Sequence, residues 1–168
     1  PTGATLWIQP ALKWPIFLNR ASSFIMNGFD SVFYEPIPHT ADIGFKVWGK
    51  TREELFSNAA RALTDCLVEV SDGIPNQTIF VNLKADSYEA LLVQWLTEVL
   101  YHFETQSLLG LGFSVVSCEL ENFKATIHGI EWDPTQQRLK TQIKAVSFHE
   151  MKIQEKEGQF EVQVILDV

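Results

Sequence analysis

Apolar residues recur every four positions at Leu55, Ala59, Leu63 and Leu67, with Phe56 and Ala60 beside them. That spacing predicts a helix from about Arg52 to Val68 with one apolar face. Thr51 offers its hydroxyl as N-cap and Glu54 follows three residues later, the pattern of a capping box. Just upstream, Val47 and Trp48 lie in a short β-prone run between Gly44 and Gly49. A second stripe, Leu91, Leu92, Trp95, Leu96, Val99 and Phe103, predicts another helix, with Asp86 as its cap and Glu89 three residues on.

Elsewhere the period is two. Thr78 to Ala85 alternates and reads as a strand, and so does Phe123 to His128. Gly110 and Gly112 are expected to break the chain before a strand from Phe113 to Leu120. Leu139 to Phe148 and Lys152 to Gln154 read as strands, the latter joined through a Glu155–Gly158 turn to a closing strand. In that last strand Phe160, Val162, Val164 and Leu166 share one face. Ser71 to Asn76 and Asp133-Pro134 read as turns. Two helices and about six strands joined by short turns predict an α+β, two-layer domain: mostly antiparallel sheet, with the two main helices packed on one face.

The chain has 168 residues, 46% of them hydrophobic, enough for one domain with a substantial core. Residues 1–25 differ from the rest: Trp7, Trp14, Phe17 and Phe24 stand among three prolines, with Lys13 and Arg20 as the only charges. No helical or strand period runs through them. They are expected to be a poorly ordered or non-native extension, with Met26 as the natural start; a targeting segment or a genuine extension are the alternatives. The domain is then 26–168, and no apolar run reaches the length of a membrane span. Net charge is −8 and the isoelectric point near 4.9, which argues against a protein that grips RNA phosphates directly. An acidic surface suits docking on a basic partner. Lys140 and Lys144, alternating on one strand, read either as a solvated edge or as a local basic patch. Cys66 and Cys118 lack metal or redox spacing and read as buried, reduced thiols of a cytoplasmic protein.

Chemistry concentrates at two places. His39, Thr40 and Asp42 stand at the mouth of the Gly44–Gly49 strand, where a carboxylate is either a turn residue or a site residue. At the other end, Asp167 and Val168 close the last strand, so a side-chain carboxylate and the α-carboxylate are expected to lie close together and to need a cation nearby. Asp42 joining them would make an all-oxygen site for Ca²⁺, Mg²⁺ or Mn²⁺. His39 either orients Asp42 or only completes the turn. Glu98 borders the apolar stripe of its helix and either snorkels to water or adds an acidic ligand or docking contact. His39, His102, His128 and His149 never pair at helical zinc spacing, and His128 reads as solvated. No phosphate loop, nucleophile elbow or dinucleotide fingerprint is present.

The His-Thr-Ala-Asp-Ile-Gly segment at 39–44, the helix that follows Gly49, the Glu89–Tyr101 helix, the Lys144–His149 segment and the Asp-Val ending together resemble the archease family. The likeness covers roughly Phe33 to Val168. It implies a small non-enzymatic protein that activates an RtcB-type RNA ligase, the enzyme that joins tRNA halves after intron removal. It also implies a divalent metal, Ca²⁺ first, held by Asp42, Asp167 and Val168. His39, Glu98, Lys144 and His149 are then candidates for supporting or partner contacts. The family more often has Thr-Tyr-His where this chain reads Ser147-Phe148-His149; the histidine matches and the tyrosine hydroxyl is absent. The rival readings are a metal-dependent hydrolase using the same carboxylates and a chaperone-like binder of exposed apolar surface.

Overall fold

The computed structural model describes residues 33–38, 43–69 and 73–168. The expectations for residues 1–25 and Met26, for Asp42 and His39, and for the first part of the Ser71 turn lie outside them. Helix α1 spans Arg52–Leu67, and Thr51 caps it, its hydroxyl accepting from Glu54 N at 3.2 Å. The return bond of the capping box lands one residue early: Lys50 N donates to the Glu54 carboxylate at 2.7 Å. The predicted face is buried, and Asn58, Ala62, Thr64 and Cys66 are buried as well. The reason is that α1 packs against two sheets rather than one.

The larger sheet contains β1 (Tyr34–Pro38), β2 (Ile43–Gly49), β8 (Gln159–Asp167) and β6 (Ala145–Ser147) in that order, with β7 (Gln154–Lys156) also paired to β8. The smaller has β3 (Gln77–Leu83), β5 (Asn122–Glu131) and β4 (Leu108–Glu119) in that order. Every pairing is antiparallel, so the domain is the expected α+β type. Helix α2 (Tyr88–Gln106) lies against α1 and touches strands of both sheets. Gly49 sits where β2 turns into α1. A side chain there would meet the Glu54 carbonyl carbon at 2.8 Å and the Leu55 nitrogen closer still, so only glycine lets the helix start this near the strand. No helix among the described residues is long and apolar enough to cross a membrane.

Four local expectations need correction. Ser87, not Asp86, caps α2, its hydroxyl accepting from Ala90 N at 3.1 Å. Glu89 is not part of a capping box; its carboxylate accepts from Ile153 N at 3.1 Å and ties α2 to the segment before β7. Gly110 and Gly112 do not end a strand, because β4 runs through both and shifts register between them. A side chain on Gly110 would meet the Phe113 ring at 2.8 Å, so the glycine makes room for that ring to fold back over the strand.

The fourth concerns 139–148, of which only Ala145–Ser147 forms strand. Lys140 N and Thr141 N instead donate to the Leu67 carbonyl at 2.8 and 3.3 Å, while Glu69 N donates to Arg138 O. That stretch satisfies the end of α1, where carbonyls lack helical partners, and is thereby drawn off the sheet. Lys140 and Lys144 therefore share no strand. The β7–β8 hairpin turns on two residues, Glu157 and Gly158, at φ 53° and 76°, and Gly158 serves the left-handed position without steric cost.

Candidate metal centre and its relatives

Strand β8 is central to the larger sheet and carries the acidic end of the chain. Leu166 is fully buried opposite Ile43 of β2, which anchors the strand end in the core. Asp167 and Val168 follow and are exposed. On the other side of β8, Ala145 pairs with Asp167, and Lys144 N donates to Asp167 O at 2.8 Å. The register thus sets Lys144 beside the chain end, where its ammonium donates to the main-chain oxygen of Val168 at 3.0 Å. A cationic group is already seated on one of the expected donor oxygens. Asp167 and Val168 offer exposed, hard oxygen donors, and their chemistry fits a cation such as Ca²⁺ or Mg²⁺.

The third expected ligand, Asp42, lies outside the described residues, as does His39. By sequence Asp42 is bonded to Ile43, and Ile43 faces Leu166, the residue before Asp167. Among the described residues, no three His, Cys, Asp or Glu side chains converge. Of the supporting candidates among the described residues, the structure brings only Lys144 to Asp167 and Val168 with a direct bond. Glu98 stands 3.7 Å from His102 Nε2, one turn along α2. His149 follows the end of β6; its Nε2 lies 3.5 Å from Glu150 and its N–H donates to the Ser147 hydroxyl. His128 is half-buried, not solvated, and its Nδ1 lies 3.3 Å from the Thr78 hydroxyl across the β3–β5 pair.

One ionisable cluster went unrecognised in the sequence. Asp65 is largely buried in α1, bonded to the Tyr34 phenol of β1, and Lys140 donates to the Asp65 carbonyl at 2.5 Å. Burial raises the Asp65 carboxyl above the usual carboxylate range, with Lys140, Tyr34 and Arg61 pulling the other way. Burial and the Asp65 charge together raise the Tyr34 phenol. Arg61 sits over the Phe33 ring at 4.4 Å, closing the arrangement. The signal existed at position 65, one carboxylate beside an apolar helical stripe, but its partners came from a strand and a loop not read correctly. Both cysteines are buried and free as expected, and burial pushes each thiol up to about 12, which leaves them unreactive near neutrality.

The raised Asp65 carboxyl has a signed consequence. Between pH 3.8 and its higher folded value, the folded protein holds a proton that the unfolded chain has released, so stability falls as pH rises through that window. Wild type is expected to gain stability relative to Asp65→Asn as pH is lowered from neutral towards 3.8, with no further gain below it. Urea unfolding midpoints of both proteins across this range check it; a difference independent of pH would contradict it.

Comparison with known proteins agrees with this fold. Residues 34–168 match the model of the archease protein family. The archease of Methanosarcina barkeri is 34% identical over 139 residues, covering 80% of this chain and 95% of that protein. An archease-like protein of Dictyostelium discoideum is 32% identical over 142 residues, with 80% and 93% covered. The solution structure of protein 1598 of Methanobacterium thermoautotrophicum superposes with a TM-score of 0.69 at 28% identity, covering 81% of this chain and 99% of that one. A Thermotoga maritima structure described as an archease, possible chaperone, shares the fold at a TM-score of 0.57 and 19% identity, with 80% and 96% covered. With its family model matched across the whole described sheet-and-helix domain, the chain belongs to the archease family.

Proposed function

We propose that this protein is a non-enzymatic, metal-binding activator of an RtcB-type RNA ligase in cytoplasmic tRNA splicing. The observation that carries the reading is the exposed Asp167–Val168 end of β8, anchored by the Ile43–Leu166 pair and already attracting the Lys144 ammonium. Asp42, bonded to Ile43, is the third proposed ligand. A divalent cation bound there would supply positive charge to a phosphate or nucleotide in the ligase active site. The chain's own work is to present hard oxygens at the rim of a rigid sheet, from an acidic domain suited to a basic partner. Activation further requires that the protein bind the reacting arrangement of the ligase better than the resting one, so that guanylylation and repeated turnover are favoured.

The described carboxylates come without an adjacent nucleophile or phosphate clamp, which favours activation over hydrolysis. The chaperone-like alternative has one observation of its own: Phe80 and Val116, each about three-quarters exposed, border one shallow groove on the smaller sheet. The deciding experiment runs a limiting amount of ligase with tRNA halves, GTP and Mn²⁺, with and without this protein, beside a reaction lacking ligase. Several ligations per ligase molecule are expected only when this protein is present, and no phosphoester cleavage by the protein alone. Metal-dependent cleavage by the protein alone, abolished by Asp42→Ala, would establish the hydrolase instead.

A further inference from the structure

We propose that β3 is a docking strand for a second copy of this chain: two copies pair their β3 strands antiparallel, edge to edge, and merge their three-stranded sheets into one continuous sheet. The inference does not depend on the metal reading.

An edge strand presents a row of unpaired N–H and C=O groups, and proteins ordinarily guard it with proline, charge, brevity or a bulge. The other edges among the described residues are guarded in this way. β1 carries Pro36 and Pro38. β6 and β7, both paired to β8, are three residues each. β4 shifts register twice, between Gly110 and Gly112 and between Val115 and Ser117. β3 has none of these devices. Its seven residues, Gln77–Leu83, include no proline and no charge, and they pair with β5 in unbroken register. Among the described residues no strand covers its other side. Phe80, at its middle, is 77% exposed.

The strand's own sequence fits a second copy. Antiparallel pairing about Phe80 is the register that matches all seven residues with their mates. Side chains alternate between the faces of a sheet, so on the outer face Phe80 meets its copy and Thr78 meets Asn82, an aromatic pair flanked by hydroxyl–amide pairs. On the inner face the half-buried Ile79 meets Val81, and the half-buried Leu83 meets Gln77. A chain of net charge −8 repels its copy, and this uncharged strand lets two copies approach with no carboxylate in the contact. A two-fold pairing uses up the bare edge of both copies, so association stops at the dimer. A strand pair of this length buries less than about 1,200 Å², which makes the dimer a transient one.

Sedimentation equilibrium of the full chain tests this, with Phe80→Lys, Val116→Lys and Phe148→Lys beside wild type. The average mass of wild type is expected to rise from the monomer's 19.1 kDa towards twice that as concentration goes from about 10 μM to about 1 mM. Phe80→Lys sets like charges opposite each other and should stay monomeric throughout, with an unchanged unfolding midpoint because the side chain is exposed. Phe148→Lys makes the same change of charge at another exposed phenylalanine and should dimerise like wild type, as should Val116→Lys on β4. Amide hydrogen exchange of wild type at both concentrations needs no variant: amides within 77–83 should slow at the higher one, and those of β4 should not. Wild type that stays monomeric at the higher concentration overturns the proposal and leaves the bare edge to a strand of another protein. Dimerisation lost in Val116→Lys as well as Phe80→Lys, with no slowing within β3, overturns edge pairing in favour of face-to-face packing across the groove that Phe80 and Val116 border.

Discussion

Trp95→Ala is expected to cost about 3–5 kcal/mol of folding stability, enough to threaten a domain of ordinary stability. Trp95 has no exposed surface and is the largest fully buried side chain among the described residues. Its ring meets Phe113 of β4 edge-on at 6.1 Å and Phe123 of β5 at 5.5 Å. Its indole N–H donates to the Phe56 carbonyl of α1 at 3.0 Å. One residue therefore joins both helices to the smaller sheet, and deleting it leaves a cavity bounded by two rings that cannot both collapse inward. Trp95→Phe keeps most of the contact and loses the N–H bond, so its cost should be nearer 1 kcal/mol, since a carbonyl inside α1 also serves its own helical turn. Chemical unfolding of the two variants checks the order. A loss below about 1 kcal/mol for Trp95→Ala would mean the core is organised around something else.

The second large effect is functional. Asp167→Asn should reduce ligase stimulation to the level seen without this protein, while changing folding stability by less than about 0.5 kcal/mol. The side chain is exposed, and the bonds that hold the strand end are main-chain ones: the Ala145–Asp167 pairing and Lys144 N to Asp167 O. Asparagine keeps the shape and one oxygen but removes the charge that a hard cation requires. Asp42→Asn should act in the same direction from the β2 side.

What could be read from sequence divides along a physical line. Helix α1 was legible to within one residue because its cap, its apolar period and its length are local, and α2 was legible apart from the choice of Ser87 over Asp86. Strand β1 was missed because Tyr34-Glu-Pro-Ile-Pro38 carries two prolines. Its place at the edge of the sheet makes them tolerable, and that place is a tertiary fact. The 139–143 stretch alternates like a strand, yet the unsatisfied end of α1 takes its N–H groups. For the site, Asp167 and Val168 are neighbours in sequence, so their proximity needed no fold. The seating of Lys144 on Val168 depends on a pairing across 24 residues, and the Asp65–Tyr34 bond on an edge strand, and neither pattern is local.

The central claim is that the acidic end of β8 acts as a site rather than as scaffold. It is tested most directly by counting ligations per RtcB-type ligase molecule in the presence of Asp167→Asn protein whose unfolding midpoint equals that of wild type. The account predicts the count obtained with no added protein. A count equal to that with wild type would contradict it.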